Sequence, residues 1–147
     1  MIQRAIVPVV LAALAALVGT PAAAAPACDD ECRIDAARAY VEALATHDAS
    51  AVPLHPEATR VEAGIQTGFS GEQIRRDLEH GPQYRVIEAV RDARFVADGE
   101  TVVAEFALDL VVPVVGSRVH EVFTFEDGRI RTIVADIALT ARLSPAA

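Results

Sequence analysis

From Gln83 to Ile137 apolar runs and bends alternate in the manner of a strand meander. Four runs, Tyr84–Ala97, Thr101–Val111, Arg118–Glu126 and Arg129–Ile137, are rich in Val, Ile, Phe and Thr. Bends separate them at Asp98-Gly99, at Pro113 with Gly116-Ser117, and at Asp127-Gly128. β-Branched and aromatic residues fit a pleated, half-buried ribbon, and Asp-Gly between apolar runs is the strongest short-range hairpin signal. Side chains alternate between the two faces of a strand. In Thr101–Val111 the even positions Val102, Ala104, Phe106, Leu108 and Leu110 are therefore expected to face a core, with Glu105 and Asp109 pointing away. In Arg118–Glu126 the apolar face is Val119, Phe123 and Phe125, and Glu121 shares it, while His120, Val122 and Thr124 form the other face. The last run is apolar on both sides, so its pattern does not choose a buried face.

The first half of the chain supplies helices to cover this sheet. Ile34, Ala37, Val41 and Leu44 recur at three- and four-residue spacing, the stripe of an amphipathic helix. Tyr40 lies beside the stripe, and Arg33, Arg38 and Glu42 lie mostly off it. Asp29, Asp30 and Glu31 stand at the start, where the helix dipole favours negative charge. The helix is predicted to stop near Thr46–His47, before an irregular connection at Leu54-His55-Pro56. Thr59–Ile65 alternates as a short strand, with Val61, Ala63 and Ile65 on one side and Arg60 and Glu62 on the other, and Thr67-Gly68-Phe69 reads as a turn. Ser70 followed by Gln73 is a capping-box pattern that opens a second helix, Gly71–His80, with Ile74 and Leu78 inside and Gly81-Pro82 as its stop. No repeat or linker interrupts this order, which predicts one α+β domain.

The first 27 of the 147 residues stand apart from that domain. Arg4, the apolar run Ala5–Val18 and the small-residue tail Pro21–Ala27 read as an export signal, with cleavage after Ala27. The run is shorter than the roughly 20 residues that cross a bilayer, so no transmembrane anchor is expected in the mature chain, residues 28–147, and the product is expected outside the cell or in its envelope. From Cys28 onward twelve arginines and no lysine oppose twenty-one acidic residues, a net charge of −9. Nucleic-acid binding needs clustered cations, and no basic stripe exists, so that partner class is excluded.

Cys28 and Cys32 are the only cysteines, spaced C-x3-C at the mature N-terminus. Outside the cytoplasm such a pair is expected to oxidise to a disulfide, joining α-carbons near the upper end of the tolerated separation. A lipid on Cys28 is the alternative. A metal site is disfavoured because two thiolates lack a second ligand pair, and a redox role because the acidic surroundings raise thiol pKa values. No metal, phosphate-loop or serine-nucleophile motif occurs, and no cofactor is implied.

The order helix, connection, strand, capped helix and four-strand meander resembles the nuclear transport factor 2-like superfamily, most nearly its SnoaL-like and secreted members. The residues that carry the likeness are Tyr40-Val41-Glu42-Ala43-Leu44 with His47-Asp48, then Gly68-Phe69-Ser70-Gly71 before Ile74-Arg75, and Phe123-Thr124-Phe125-Glu126-Asp127-Gly128-Arg129-Ile130. The resemblance spans Ile34 to Ile137, and a secreted subgroup shares a C-x3-C pair before the first helix. It implies a cone-shaped, strongly curved antiparallel sheet wrapped on the helices around a mostly apolar pocket. Isomerases, dehydratases and cyclases share this fold with binding and assembly modules, so fold does not decide function.

Tyr40, Phe106, Glu121, Phe123 and Asp136 are the candidate pocket residues, with Glu121 the candidate acid or base because an apolar pocket raises a carboxyl pKa. The three polar candidates have structural alternatives: Glu121 paired at the rim with Arg118 or Arg131 or exposed by a register shift, Asp136 paired with Arg131 or Arg94, and Tyr40 bonded to backbone. His120 is expected on an exposed face, His47, Asp48 and His55 in cap and turn roles, and His80 at a helix end. Three functions fit: an exported module binding a small apolar or amphipathic ligand, a proton-transfer enzyme using Glu121, or a homodimeric envelope module docking through the outer sheet face.

Overall fold

The computed structural model describes residues 27–142, so the export signal read at the start of the chain lies outside the described residues up to position 26. Helix α1 runs Asp30–Thr46, strands β1 and β2 Leu54–Glu62 and Ile65–Gly68, and helix α2 Gly71–His80. Strands β3 to β6 follow at Ile87–Asp98, Thr101–Leu110, Val115–Glu126 and Arg129–Ala141. The six strands form one sheet in the order β2-β1-β6-β5-β4-β3. Neighbours are antiparallel except β1 and β6, which run parallel, so the sheet is mixed rather than wholly antiparallel.

Both helix starts are set by local chemistry. The Asp29 carboxylate caps α1 by accepting from Cys32 N at 2.9 Å, and Ser70 caps α2 by accepting from Gln73 N at 3.2 Å. Gln73 Oε1 reaches back to accept from Phe69 N at 2.8 Å, completing a variant of the capping box. Gly71 lets α2 lie close against β1: a Cβ there would stand 2.3 Å from the His55 carbonyl oxygen. Cys28 and Cys32 form a disulfide with α-carbons 5.3 Å apart. That separation is mid-range rather than near the upper limit, because Cys28 precedes the cap and is not held at helical spacing. The bond also occupies the sulfur that a lipid on Cys28 would need.

Several boundaries differ from the sequence reading, each for a physical reason. Leu54-His55-Pro56 is not a loop but the start of β1, which pairs with β6 at Leu54 and again from Thr59 to Glu62. Thr59–Ile65 is not one strand but two arms of a tight hairpin, whose turn residues Ala63 and Gly64 have φ of +49° and +80°. Alanine rarely adopts that region, so the turn carried no sequence signal. Tyr84 lies in the turn before β3, and Gly116-Ser117 continue β5 rather than bend it.

A register shift explains the two-sided last strand. Thr124 pairs with Thr132 but Phe125 pairs with Ile130, leaving Arg131 as an extra residue in β6. The inward face therefore passes from Ile130 to Ile133 and Ala135, which are buried, while Val134 and Asp136 face out. A similar shift in β3 at Asp92, with φ of +55°, keeps both Val90 and Phe95 packed on the core. The core lies between α1, α2 and the inner sheet face. Tyr40 and Phe123 meet edge-to-face within it, ring centroids 5.3 Å apart. Tyr40 is thus fully buried, and Arg33, read as lying off the stripe, is also buried. It donates to the Cys28 carbonyl and pairs with Glu100 in the β3–β4 turn at 3.3 Å.

Candidate functional site

Inside the curve of the sheet lies a cavity of about 260 Å³. Its walls are apolar: Leu44 from α1, Ile87 from β3, Leu108 from β4, Val119 from β5 and Leu139 from β6. Glu62, Tyr84, Ser117 and Glu121 interrupt this surface. The cavity opens on an apolar rim, where Leu139 is 76 % exposed and Val86 and Ile137 are also exposed.

Glu121 occupies the inward face of β5 between Val119 and Phe123, at 2 % exposure, and its Oε2 has no hydrogen-bond partner in the protein. Neither expected rim pairing occurs. Arg118 faces outward, and Arg131 binds Glu126 and Glu57 on the exposed edge. Burial, reinforced by the negative charge of Glu62 and opposed by Arg60, pushes the Glu121 carboxyl up to about 8. At neutral pH it is therefore mostly a neutral acid.

Two residues beside it come from the strand whose charged side had been set opposite an apolar one. In β1 the buried side chains are Leu54, Ala58 and Arg60, so the Arg60/Glu62 face turns inward and Val61 and Ile65 turn out. Arg60 is fully buried. Its Nη2 binds Asp77 Oδ2 of α2 at 3.1 Å, its Nε donates to Thr67 Oγ1 at 3.0 Å, and its guanidinium lies 5.2 Å from the Tyr84 ring centroid. Glu62 accepts from Tyr84 OH at 2.8 Å and from Thr67 Oγ1 at 2.6 Å, and its Oε2 lies 3.4 Å from Arg60 Nε. These bonds hold the Glu62 side chain at the cavity edge. Burial and then the nearby Glu121 raise the Tyr40 hydroxyl above its ordinary pKa, while burial and then Tyr40 raise that of Tyr84, so both stay protonated. Tyr40 OH and Arg60 Nη1 are buried without a protein partner, as is Glu121 Oε2.

Of the candidate residues, Phe106 and Glu121 line the cavity. Tyr40 and Phe123 lie beneath its floor in the core. Asp136 lies on the opposite face of the sheet, beside His120 and Glu105, because the extra residue at Arg131 reverses the alternation. It is exposed and pairs with neither Arg131 nor Arg94 among the described residues. His120 also faces out, 3.5 Å from Glu105, His47 is the left-handed cap of α1, and His55 accepts from Glu57 N. Sequence reasoning passed over Arg60, Glu62 and Tyr84; the one available signal was a charged Arg-x-Glu pair in an otherwise alternating strand.

His55, Glu126 and Asp127 bring possible ligand atoms together, but His55 Nδ1 already accepts a backbone N–H and Glu126 is held by Arg131. That grouping is an ion-paired surface. Among the described residues no helix is long and apolar enough to cross a membrane.

The fold is shared widely. An LEH-like epoxide hydrolase from M. tuberculosis superposes with a TM-score of 0.60 at 24 % identity, over 74 % of this chain and 84 % of that one. SalBIII, an epoxide hydrolase/cyclase-like enzyme in pyran ring formation in the polyether salinomycin, gives 0.62 at 16 % identity, over 78 % and 98 %. An NTF-2 like protein of unknown function from Burkholderia xenovorans gives 0.57 at 15 % identity, over 74 % and 84 %. Likeness at these identities speaks for the fold alone. No curated protein matches the chain in sequence. A family model does match, across residues 27–137. On a nuclear transport factor 2-like fold, the chain belongs to the family described as Domain of unknown function (DUF8021).

Proposed function

We propose that this protein is exported and binds a small, mostly apolar molecule whose polar group meets Glu121 at the cavity floor. The observation that carries the reading is the buried Glu121 carboxyl, aimed at an apolar-walled cavity with one oxygen unpartnered. A buried polar group without a partner costs free energy, and a ligand that supplies the missing bond recovers it. Export rests on the Arg4, Ala5–Val18 and Pro21–Ala27 pattern and on the disulfide that an oxidising compartment favours. The test is a screen of small apolar molecules bearing one hydroxyl, carbonyl or amine group, read by chemical-shift changes. Binders are expected to move the resonances of Glu121, Tyr84, Leu108 and Ile137, and Leu108→Trp, which fills the cavity, is expected to abolish the response. Changes scattered over the surface, or a response that survives Leu108→Trp, would refute it.

A second reading, proton-transfer catalysis, is favoured by two carboxyl groups on one cavity, Glu121 held neutral by burial and Glu62 bonded to Tyr84 and Thr67. A pair of carboxyl groups in different surroundings can share the roles of general acid and general base. Glu121 would give its proton to a developing oxyanion while Glu62 takes one from the attacking group, as the opening of an epoxide requires. Styrene oxide is a direct probe: hydration to the diol should exceed the uncatalysed rate and fall at least 100-fold in Glu121→Gln. Equal rates for the two proteins would leave binding as the function.

A further inference from the structure

We propose that the cavity selects a molecule carrying a protonated amine on an apolar body. This rests on the small-molecule reading above and names its ligand class. Among the described residues that line the cavity, Glu62 and Glu121 are acids and none is Arg, Lys or His. The nearest cation, Arg60, stands behind Glu62 and is shared with Asp77, so one guanidinium serves two carboxylates before Glu121 is counted. The floor thus carries an excess of negative charge in a low-dielectric setting, where a ligand cation is attracted and a ligand carboxylate repelled. An ammonium brings three donors and no acceptor, which suits Glu121 Oε2, an acceptor without a protein donor when ionised.

The groups facing Glu121 agree with this assignment. Tyr40 on α1, Arg60 and Glu62 on β1 and Tyr84 before β3 cluster beside it; of these Arg60 alone is cationic, its Nη2 and Nε held by Asp77 and Thr67 and its Nη1 without a protein partner. The binding step balances simply. The ammonium enters with its proton, the neutral Glu121 carboxyl releases its own to the buffer, and the ion pair R–NH3⁺···⁻OOC forms with no covalent bond made. With the carboxyl pushed up to about 8 in the free protein, nearly one proton leaves per amine bound at pH 7.

The experiment is calorimetry at pH 7 on the disulfide-bonded protein with n-hexylamine, 1-hexanol and hexanoate, in two buffers of different ionisation enthalpy. Hexylamine is expected to bind at least tenfold tighter than hexanol, hexanoate weakest, with release of close to one proton for the amine and none for the alcohol. Glu121→Gln should remove the amine's advantage and its proton release, so that hexylamine binds no tighter than hexanol to the variant. Hexanol equal to or tighter than hexylamine, without proton release, overturns the amine assignment and leaves the cavity reading standing. Hexylamine binding that is indifferent to Glu121→Gln also overturns it, as attraction to the acidic surface. Failure of all three probes removes the cavity reading and this inference with it.

Discussion

Replacing Glu121 by glutamine removes one ionisable group from the interior with little change of shape, and its effect on stability must depend on pH. In the unfolded chain the carboxyl titrates near 4.5, and in the folded protein near 8. The folded state holds the proton more tightly, so Glu121 leaves stability undiminished below pH 4.5. As pH rises from 4.5 to 8 the unfolded chain ionises and the folded one does not, and unfolding becomes progressively easier. Above pH 8 both are ionised and the loss is complete. Integrating the linkage relation between these values gives a loss of about 4 kcal/mol between pH 5 and pH 9. That figure is an upper bound, since water entering the cavity beside the ionised carboxylate recovers part of it. It is nonetheless a large share of the 5–15 kcal/mol that holds a typical domain together. Urea unfolding of the wild type and Glu121→Gln, each measured from pH 5 to pH 9, isolates the term as their difference. Wild type is expected to match the variant within about 1 kcal/mol at pH 5 and to fall below it steadily toward pH 9. Two stability curves that stay parallel across that range would refute the burial argument.

Other perturbations test the frame around the cavity. Arg60→Ala leaves Glu62 and Asp77 without their shared guanidinium and is expected to destabilise the fold by about 3–5 kcal/mol in urea unfolding. Gly71→Ala drives a methyl group against the His55 carbonyl and should lose about 1–3 kcal/mol, visible as a lowered thermal midpoint. Reduction of Cys28–Cys32 opens a very short loop, so unfolding with and without reductant is expected to differ by about 2 kcal/mol at most.

The sequence disclosed the architecture more fully than the site, for identifiable reasons. Strands β3 to β6, the Ser70 cap and the inward face of β4 follow from alternation and capping, which are local properties. Glu121 was visible for the same reason, as a carboxylate on the apolar side of β5. Asp136 was misplaced because one extra residue at Arg131 reverses a strand of period two, and alternation apolar on both sides conceals the reversal. Arg60 and Glu62 escaped because a charged strand face is expected to meet water. Asp77, Thr67 and Tyr84, which make its burial tolerable, arrive from α2, β2 and the turn before β3, and no local pattern announces that meeting.

That neutral, buried Glu121 on the floor of a ligand cavity is tested most directly by its own carboxyl resonance. The ¹³C shift of the Glu121 carboxyl, followed from pH 4 to pH 10, is predicted to titrate near 8 and to move when 1-hexanol saturates the protein. Titration near 4.5, or a resonance indifferent to the probe, would contradict it.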